Sequence, residues 1–204
     1  MKKKVLVRAP FLTQSGYGEH GRFVLRSLKE YEEYLDIYAI PIKWGNTGWL
    51  WNDNEERKWF DQIIKKTVAY EAKKYDLSVQ VTIPNEWEKL APVNVGVTAG
   101  IEVTKCTPKW IEKSLVVDRI VTTSQFAADT YKNTACVVTN HQTGEVDNTF
   151  KTPIPFTPVH YPYKSNLDVK PIDLELEYDF NFLSVAQWGP RKNIANLITW
   201  FVEE

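Results

Sequence analysis

VNVGVTAGIEVTKCTPKWIEKSLVVDRIVTTSQF (residues 93–126) holds two short β-branched runs, Val93–Thr98 and Arg119–Thr123, each followed by a helix start. Thr107-Pro108 opens the first helix, with threonine suited to capping and proline to the first helical position, and Ser124 caps the second, over 125–132. Strand, helix, strand, helix is the signature of a parallel sheet covered by helices.

The pattern extends in both directions. Upstream, Val5–Ala9 reads as the first strand, and the segment 17–31 places Phe23, Val24, Leu25 and Leu28 at helical spacing. Asp36–Ile42 reads as a strand that ends at Pro41 or lies at an edge. The Trp/Asn/Gly-rich 44–54 is a loop, and 55–75 is a helix with Trp59, Ile63 and Val68 as its buried face. Leu77–Ile83 is a further strand, joined to the quoted stretch by a polar turn. Downstream, 135–155 alternates around Thr143-Gly144 as a surface hairpin, and Thr157–Tyr161 is a strand. The polar, acidic segment 164–178 is a linker, after which Phe180–Ala186 reads as a strand and 192–204 as a helix. We expect an α/β doubly wound, Rossmann-like domain over 1–163 and the first βα unit of a second α/β domain over 179–204. A single strand and helix cannot bury their apolar faces alone, so the chain is expected to be a fragment.

Composition narrows the function. The 204 residues are 43% hydrophobic and 25% charged, and their formal net charge of -1 provides no field to hold nucleic acid. Val5–Val7 before Arg8 is too short for a signal peptide, and no stretch is apolar enough for a transmembrane helix, so a cytoplasmic location is expected. Cys106 and Cys136 read as reduced thiols, and with His20, His141 and His160 they are too few for an ordinary zinc site.

Gly16-Tyr17-Gly18-Glu19-His20-Gly21 spells the dinucleotide-binding pattern of three glycines. Two features count against that reading. Pro10–Ser15 intervenes between strand and first glycine, and Asp36 begins the second strand where a ribose-binding acid should end it. A loop that lets backbone amides approach a phosphate or sugar, and a plain strand-to-helix turn, are the other readings.

Asn94–Glu102, Pro108-Lys109-Trp110-Ile111, Val117-Asp118-Arg119-Ile120-Val121 and Thr123-Ser124-Gln125-Phe126 share their order and spacing with a known pattern. The stretch resembles the family-4 branch of GT-B glycosyltransferases. Ser15-Gly16-Tyr17-Gly18 with Arg22, Leu25 and Leu28 is similar to that family's first loop and helix, and Phe182–Ala186 through Pro190-Arg191-Lys192-Asn193-Ile194 to the opening of its second domain. Ala186-Gln187 departs from the family's Gly-Arg, which leaves one phosphate-binding cation missing or moved to Arg191. The family's late donor-site carboxylate motif is absent from these residues.

The resemblance implies transfer of a sugar from a nucleotide-sugar donor to a glycan, lipid or protein acceptor, metal-independent and with retention, using no cofactor beyond the donor. Gly16, Gly18, Arg191 and Lys192 would face the donor phosphates; Tyr17, Thr98, Gly100 and Glu102 would contact acceptor or sugar; Glu102 and Lys192 would take part in catalysis. His20 is expected to be an exposed helix histidine, His160 to fill a strand end, and Trp44, Trp49 and Trp51 to form an acceptor platform or a packed loop. The rival reading is a non-catalytic glycan- or nucleotide-binding module, and the chain alone is expected to be inactive.

Overall fold

The computed structural model describes residues 2–139, 142–163, 170–186 and 188–203. The chain divides into two compact units, Met1–Tyr163 and Lys164–Glu204. The first contains β1 (Lys3–Ala9), α1 (Gly16–Lys29), β2 (Leu35–Pro41), α2 (Glu55–Ala69), β3 (Leu77–Val81), a 3-10 turn (Pro84–Glu86), β4 (Val93–Thr98), α3 (Pro108–Ser114), β5 (Arg119–Thr122), α4 (Gln125–Asn133), a hairpin of β6 (Cys136–Thr139) and β7 (Val146–Phe150), and β8 (Phe156–Pro158). Six strands form one sheet in the order β2-β1-β3-β4-β5-β8, and every pairing in it is parallel. This is a Rossmann-like α/β arrangement.

The two sides of the sheet are built differently. Val5, Val7, Ile37, Ala39, Val81 and Val97 form an apolar core with Leu25 of α1 and Phe60 and Ile63 of α2. On alternate residues, Ser78, Gln80 and Asn94 are fully buried polar side chains. They are matched to one returning segment. Gln80 Nε2 donates to the Glu88 carbonyl (2.6 Å) while the Glu88 amide donates back to Gln80 Oε1 (3.0 Å). Asn94 Oδ1 accepts from Ser78 Oγ and from the amides of Leu90 and Ala91. A buried amide side chain satisfied on both sides fixes its loop in one geometry, since any other leaves donors unpaired.

Asp118 aligns β4 with β5. Its carboxylate accepts the Asn94 amide at 2.7 Å, and its own amide donates to the Asn94 carbonyl at 2.8 Å. Trp110 stacks on buried Tyr131 at 6.0 Å and donates its indole N–H to Asn85 Oδ1. Much of the motif that carries the family resemblance is therefore packing and register.

Several expectations need correction. Val68 is 78% exposed, and α2 stops at Ala69 because Tyr70 leaves helical geometry (ψ 87°) to pack with Tyr38 and Tyr75 against Leu6. Thr107 occupies the cap position of α3 without a capping hydrogen bond. Phe180–Ala186 is not a strand; among the described residues its unit offers no second strand to accept a ladder. There, Pro190–Lys192 forms a 3-10 turn, Asn193 is left-handed (φ 51°), and α5 (Ile194–Glu203) follows. Phe182 meets Phe180 and Phe201 edge-on, yet Leu197, Ile198 and Trp200 remain substantially exposed. Linker residues 164–169 and Gln187 lie outside the described residues.

The free edge of β2 is closed by a side chain: the Ala39 amide donates to Thr67 Oγ1 of α2 at 2.8 Å, while that hydroxyl donates to the Ile63 carbonyl. Thr67→Val keeps the shape and strands a buried amide. It is expected to cost about 1–2 kcal/mol in urea unfolding without changing the denaturant slope.

Candidate functional site

In an open parallel sheet the connections from two adjacent strands part to opposite sides at a switch point, and the crevice there lies beyond the carboxyl ends of the strands. Here β1 connects to β2 on one side and β3 to β4 on the other, while β1 and β3 are neighbours. The loop 10–15, the N-terminus of α1 and the loop after β3 therefore meet at that edge.

Ser15 caps α1, its hydroxyl accepting the Gly18 amide at 2.9 Å, and its carbonyl takes the Glu19 amide. Gly16 is exposed, and a β-carbon added to it would meet nothing within 4 Å. Gly18 is different: a β-carbon there would sit 2.2 Å from the Thr13 carbonyl oxygen and 2.8 Å from Thr13 Oγ1. The two glycines, expected to share a role in phosphate contact, differ in their surroundings. Gly16 leaves the helix end open, whereas Gly18 lets α1 press against its own loop.

Arg22 shapes that loop. Its guanidinium is buried (6% exposed) and donates to the carbonyls of Phe11 (2.8 Å) and Thr13 (2.9 Å), with Glu19 as counter-ion at 2.6 Å. Arg26 binds the other Glu19 oxygen and reaches across to Glu56 of α2. Burial alone would raise the Glu19 carboxyl, but hydrogen bonds from Arg26 and Arg22 prevail and hold it at about 2. The Trp-rich loop is strapped on from outside, with Gln14 donating its amide to the Gly48 carbonyl and Leu50 to that of Leu12.

At the end of β4, Thr98 is fully buried and its Oγ1 lies 2.9 Å from the Tyr17 hydroxyl, which also accepts the Ala99 amide at 3.1 Å. Tyr17 packs on Trp44 with ring centroids 4.3 Å apart, and burial raises its phenol above the ordinary value. Tyr17 and Thr98, expected as sugar contacts, are bonded to each other, which ties the start of α1 to the end of β4. Gly100 turns the chain with φ +89°, its missing β-carbon leaving room for Ala127 at a distance that would otherwise be 2.5 Å. Thr123 Oγ1 donates to the Ala99 carbonyl, and Ser124 caps α4 through the Ala127 amide. Beyond Gly100, Glu102 is exposed on the loop that leads to α3.

Of the aromatic loop, Trp44 is half-buried against Tyr17, while Trp49 is 39% and Trp51 86% exposed. His20 is buried rather than exposed, because its ring turns inward to meet Tyr161 edge-on at 4.8 Å. His160 is exposed and fills no strand end. Arg191 and Lys192 lie exposed on the 3-10 turn preceding α5, not on the helix itself. Among the described residues no three His, Cys, Asp or Glu side chains gather as a cation site, and no helix is long and apolar enough to cross a membrane. The Arg22 clamp is the element of this edge whose role the sequence did not show: Arg22 belongs to the motif 15–28, but its carbonyl partners Phe11 and Thr13 are set by the loop fold.

No family model matches this chain, and no curated protein or solved structure matches it either. The resemblance to a glycosyltransferase family rests on the motif residues alone.

Two expectations separate the glycines and the clamp. Gly18→Ala should destabilise by about 1–3 kcal/mol through backbone displacement, while Gly16→Ala should be neutral or slightly stabilising, both read by chemical denaturation. A carboxyl held low favours the folded state at neutral pH, and that contribution fades as pH falls from about 4.5 to about 2. Melting temperature should drop through this window, and Glu19→Gln should lower it at pH 7 and flatten the drop.

Proposed function

We propose that this chain forms the acceptor-side domain and the beginning of the donor-side domain of a GT-B-like, family-4-like glycosyltransferase, which moves a sugar from a nucleotide-sugar donor to a glycan, lipid or protein acceptor. The observation that carries the reading is the open, Ser15-capped N-terminus of α1 at the switch point of a parallel sheet, with the Gly100 turn delivering Glu102 beyond β4 at the same edge. A diphosphate leaving group develops charge as its glycosidic bond breaks, and first-turn amides with the helix dipole stabilise that charge without a metal. Gly16 removes the side chain that would obstruct such an approach.

In this mechanism the amides at Gly16 and Tyr17 meet the donor phosphates. The resemblance gives Arg191 and Lys192, on the second unit, the role of phosphate-binding cations, with Lys192 as the charge that promotes departure. Glu102 accepts a hydrogen bond from an acceptor or sugar hydroxyl and orients it. Retention needs no second carboxylate of the hydrolase kind, because the departing phosphate itself takes the acceptor proton. Gly18, Tyr17, Thr98 and Gly100 act by placement, holding α1 and the β4 loop at a fixed separation.

Titration with UDP, GDP and ADP and with their sugar conjugates, followed by amide NMR, tests the reading. One nucleotide series should give saturable shifts at Gly16 and Tyr17. Gly16→Asp fits the open space and sets a like charge against the phosphate, so affinity should fall about tenfold with the fold intact. Lys192→Ala should weaken donor binding by about 1.5–3 kcal/mol. Absence of saturable shifts with every nucleotide would remove the proposed donor site.

A further inference from the structure

The loop that leaves β2 for α2 carries three tryptophans, and its backbone is held at several points. Trp44 packs on Tyr17 at its base. Gly45 turns the chain in the left-handed region (φ 50°), and the Thr47 hydroxyl donates to the Trp44 carbonyl at 2.6 Å. Beyond that turn Trp49 forms an antiparallel bridge with Thr13, flanked by hydrogen bonds from the Gln14 amide to Gly48 and from the Leu50 amide to Leu12. Arg57 of α2 donates to the Leu50 carbonyl at 2.6 Å. Yet Trp49 is 39% and Trp51 86% exposed.

Two tryptophans on a slack loop would gain by folding back onto the domain. Here the bonds on both sides of residue 50 hold them out. Successive side chains of an extended stretch alternate, so Trp49 and Trp51 share one side, about 7 Å apart at the backbone, and half-buried Leu50 takes the other. Gln14 lies beside them: it is exposed, and its Oε1 is 3.2 Å from where a β-carbon of Gly48 would stand. Asn46, Asn52 and Asp53 are exposed on the same loop, and residues 44–54 include no Lys or Arg.

These features choose among occupants. The two rings expose about 300 Å², well short of the roughly 800 Å² that each side of a stable protein interface buries. An anionic lipid surface is drawn by clustered cations, and this loop offers amides and an acid instead. Neutral sugars match what is present. A pyranose has an apolar C–H face that stacks on an indole, and its rim hydroxyls exchange hydrogen bonds with amide and carboxylate side chains. The spacing of the two rings reaches beyond one pyranose, which fits a chain of sugars.

We propose that the edge 49–51 is a binding site for a neutral oligosaccharide, whose rings stack on the two indoles while its hydroxyls bond to Gln14, Asn52 and Asp53. The edge is bonded to residues 12–14, which lead into the open start of α1. Calling this oligosaccharide the acceptor of sugar transfer rests on the glycosyltransferase reading; its binding does not.

Titrating the 204-residue protein with maltohexaose, cellohexaose, xylohexaose and mannohexaose, observed through the indole N–H signals of Trp49 and Trp51, tests the proposal. At least one sugar should give saturable shifts at both indoles. Trp51→Ala, at a position with little packing to lose, should weaken that binding by about tenfold or more with the amide spectrum otherwise native, and Trp51→Tyr should restore part of it. Shifts at Gly16 and Tyr17 with UDP, GDP or ADP should be the same in Trp51→Ala as in the parent, so failure of the donor site and failure of this one are read separately. Absence of indole shifts with all four sugars, unchanged affinity in Trp51→Ala, or indole shifts produced by phosphatidylcholine vesicles in place of sugar would each overturn the proposal.

Discussion

Arg22 sits under the first loop of the domain with its guanidinium buried, and a buried cation persists only where its charge is neutralised and its donors are matched. Both conditions are met by neighbours close in sequence: Glu19 one turn earlier on the same helix, and the carbonyls of Phe11 and Thr13 from the loop that precedes it. Those two carbonyls would otherwise be costly, since the loop is held under the start of α1 with Phe11 and Thr13 nearly inaccessible. The clamp thereby fixes how the chain leaves β1 and enters α1. Gly18 can then approach Thr13 closely, Ser15 can cap, and the helix end stays open at Gly16.

The same edge is tied to the rest of the sheet by Tyr17. Its hydroxyl joins Thr98 and the Ala99 amide, so the first turn of α1 is hydrogen-bonded to the end of β4. Tyr17 and Thr98, which the family resemblance assigns to ligand contact, also hold this edge together. Asp118 and Trp110 do likewise, through strand register and aromatic stacking. A motif can thus be specific to a fold without each of its residues touching substrate, because the spacing that recurs is the spacing the packing demands.

The apolar and polar sides of the sheet divide the work. Valines on one side pack against α1 and α2 and line an open groove beside His20. On the other side Ser78, Gln80 and Asn94 trade some hydrophobic burial for a fixed path of residues 87–91 into β4. Fully matched polar groups in a core favour one arrangement over its neighbours, which suits a segment that must deliver the β4 loop to the functional edge.

The alternation of β-branched runs and amphipathic segments determined the parallel α/β sheet, its helices and the hairpin at 136–150, because side-chain periodicity and capping are local properties. Pro41 marked a strand that ends there or lies at an edge, and β2 does both. Tertiary structure alone decided that Gly16 is open while Gly18 is filled by Thr13, that Tyr17 is spent on Thr98, and that His20 is buried. Each depends on an atom brought near by folding, and sequence spacing carries no information about it. The strand expected at 180–186 failed on the same ground: a strand exists only with a partner to accept its hydrogen bonds, and apolar pattern alone does not provide one.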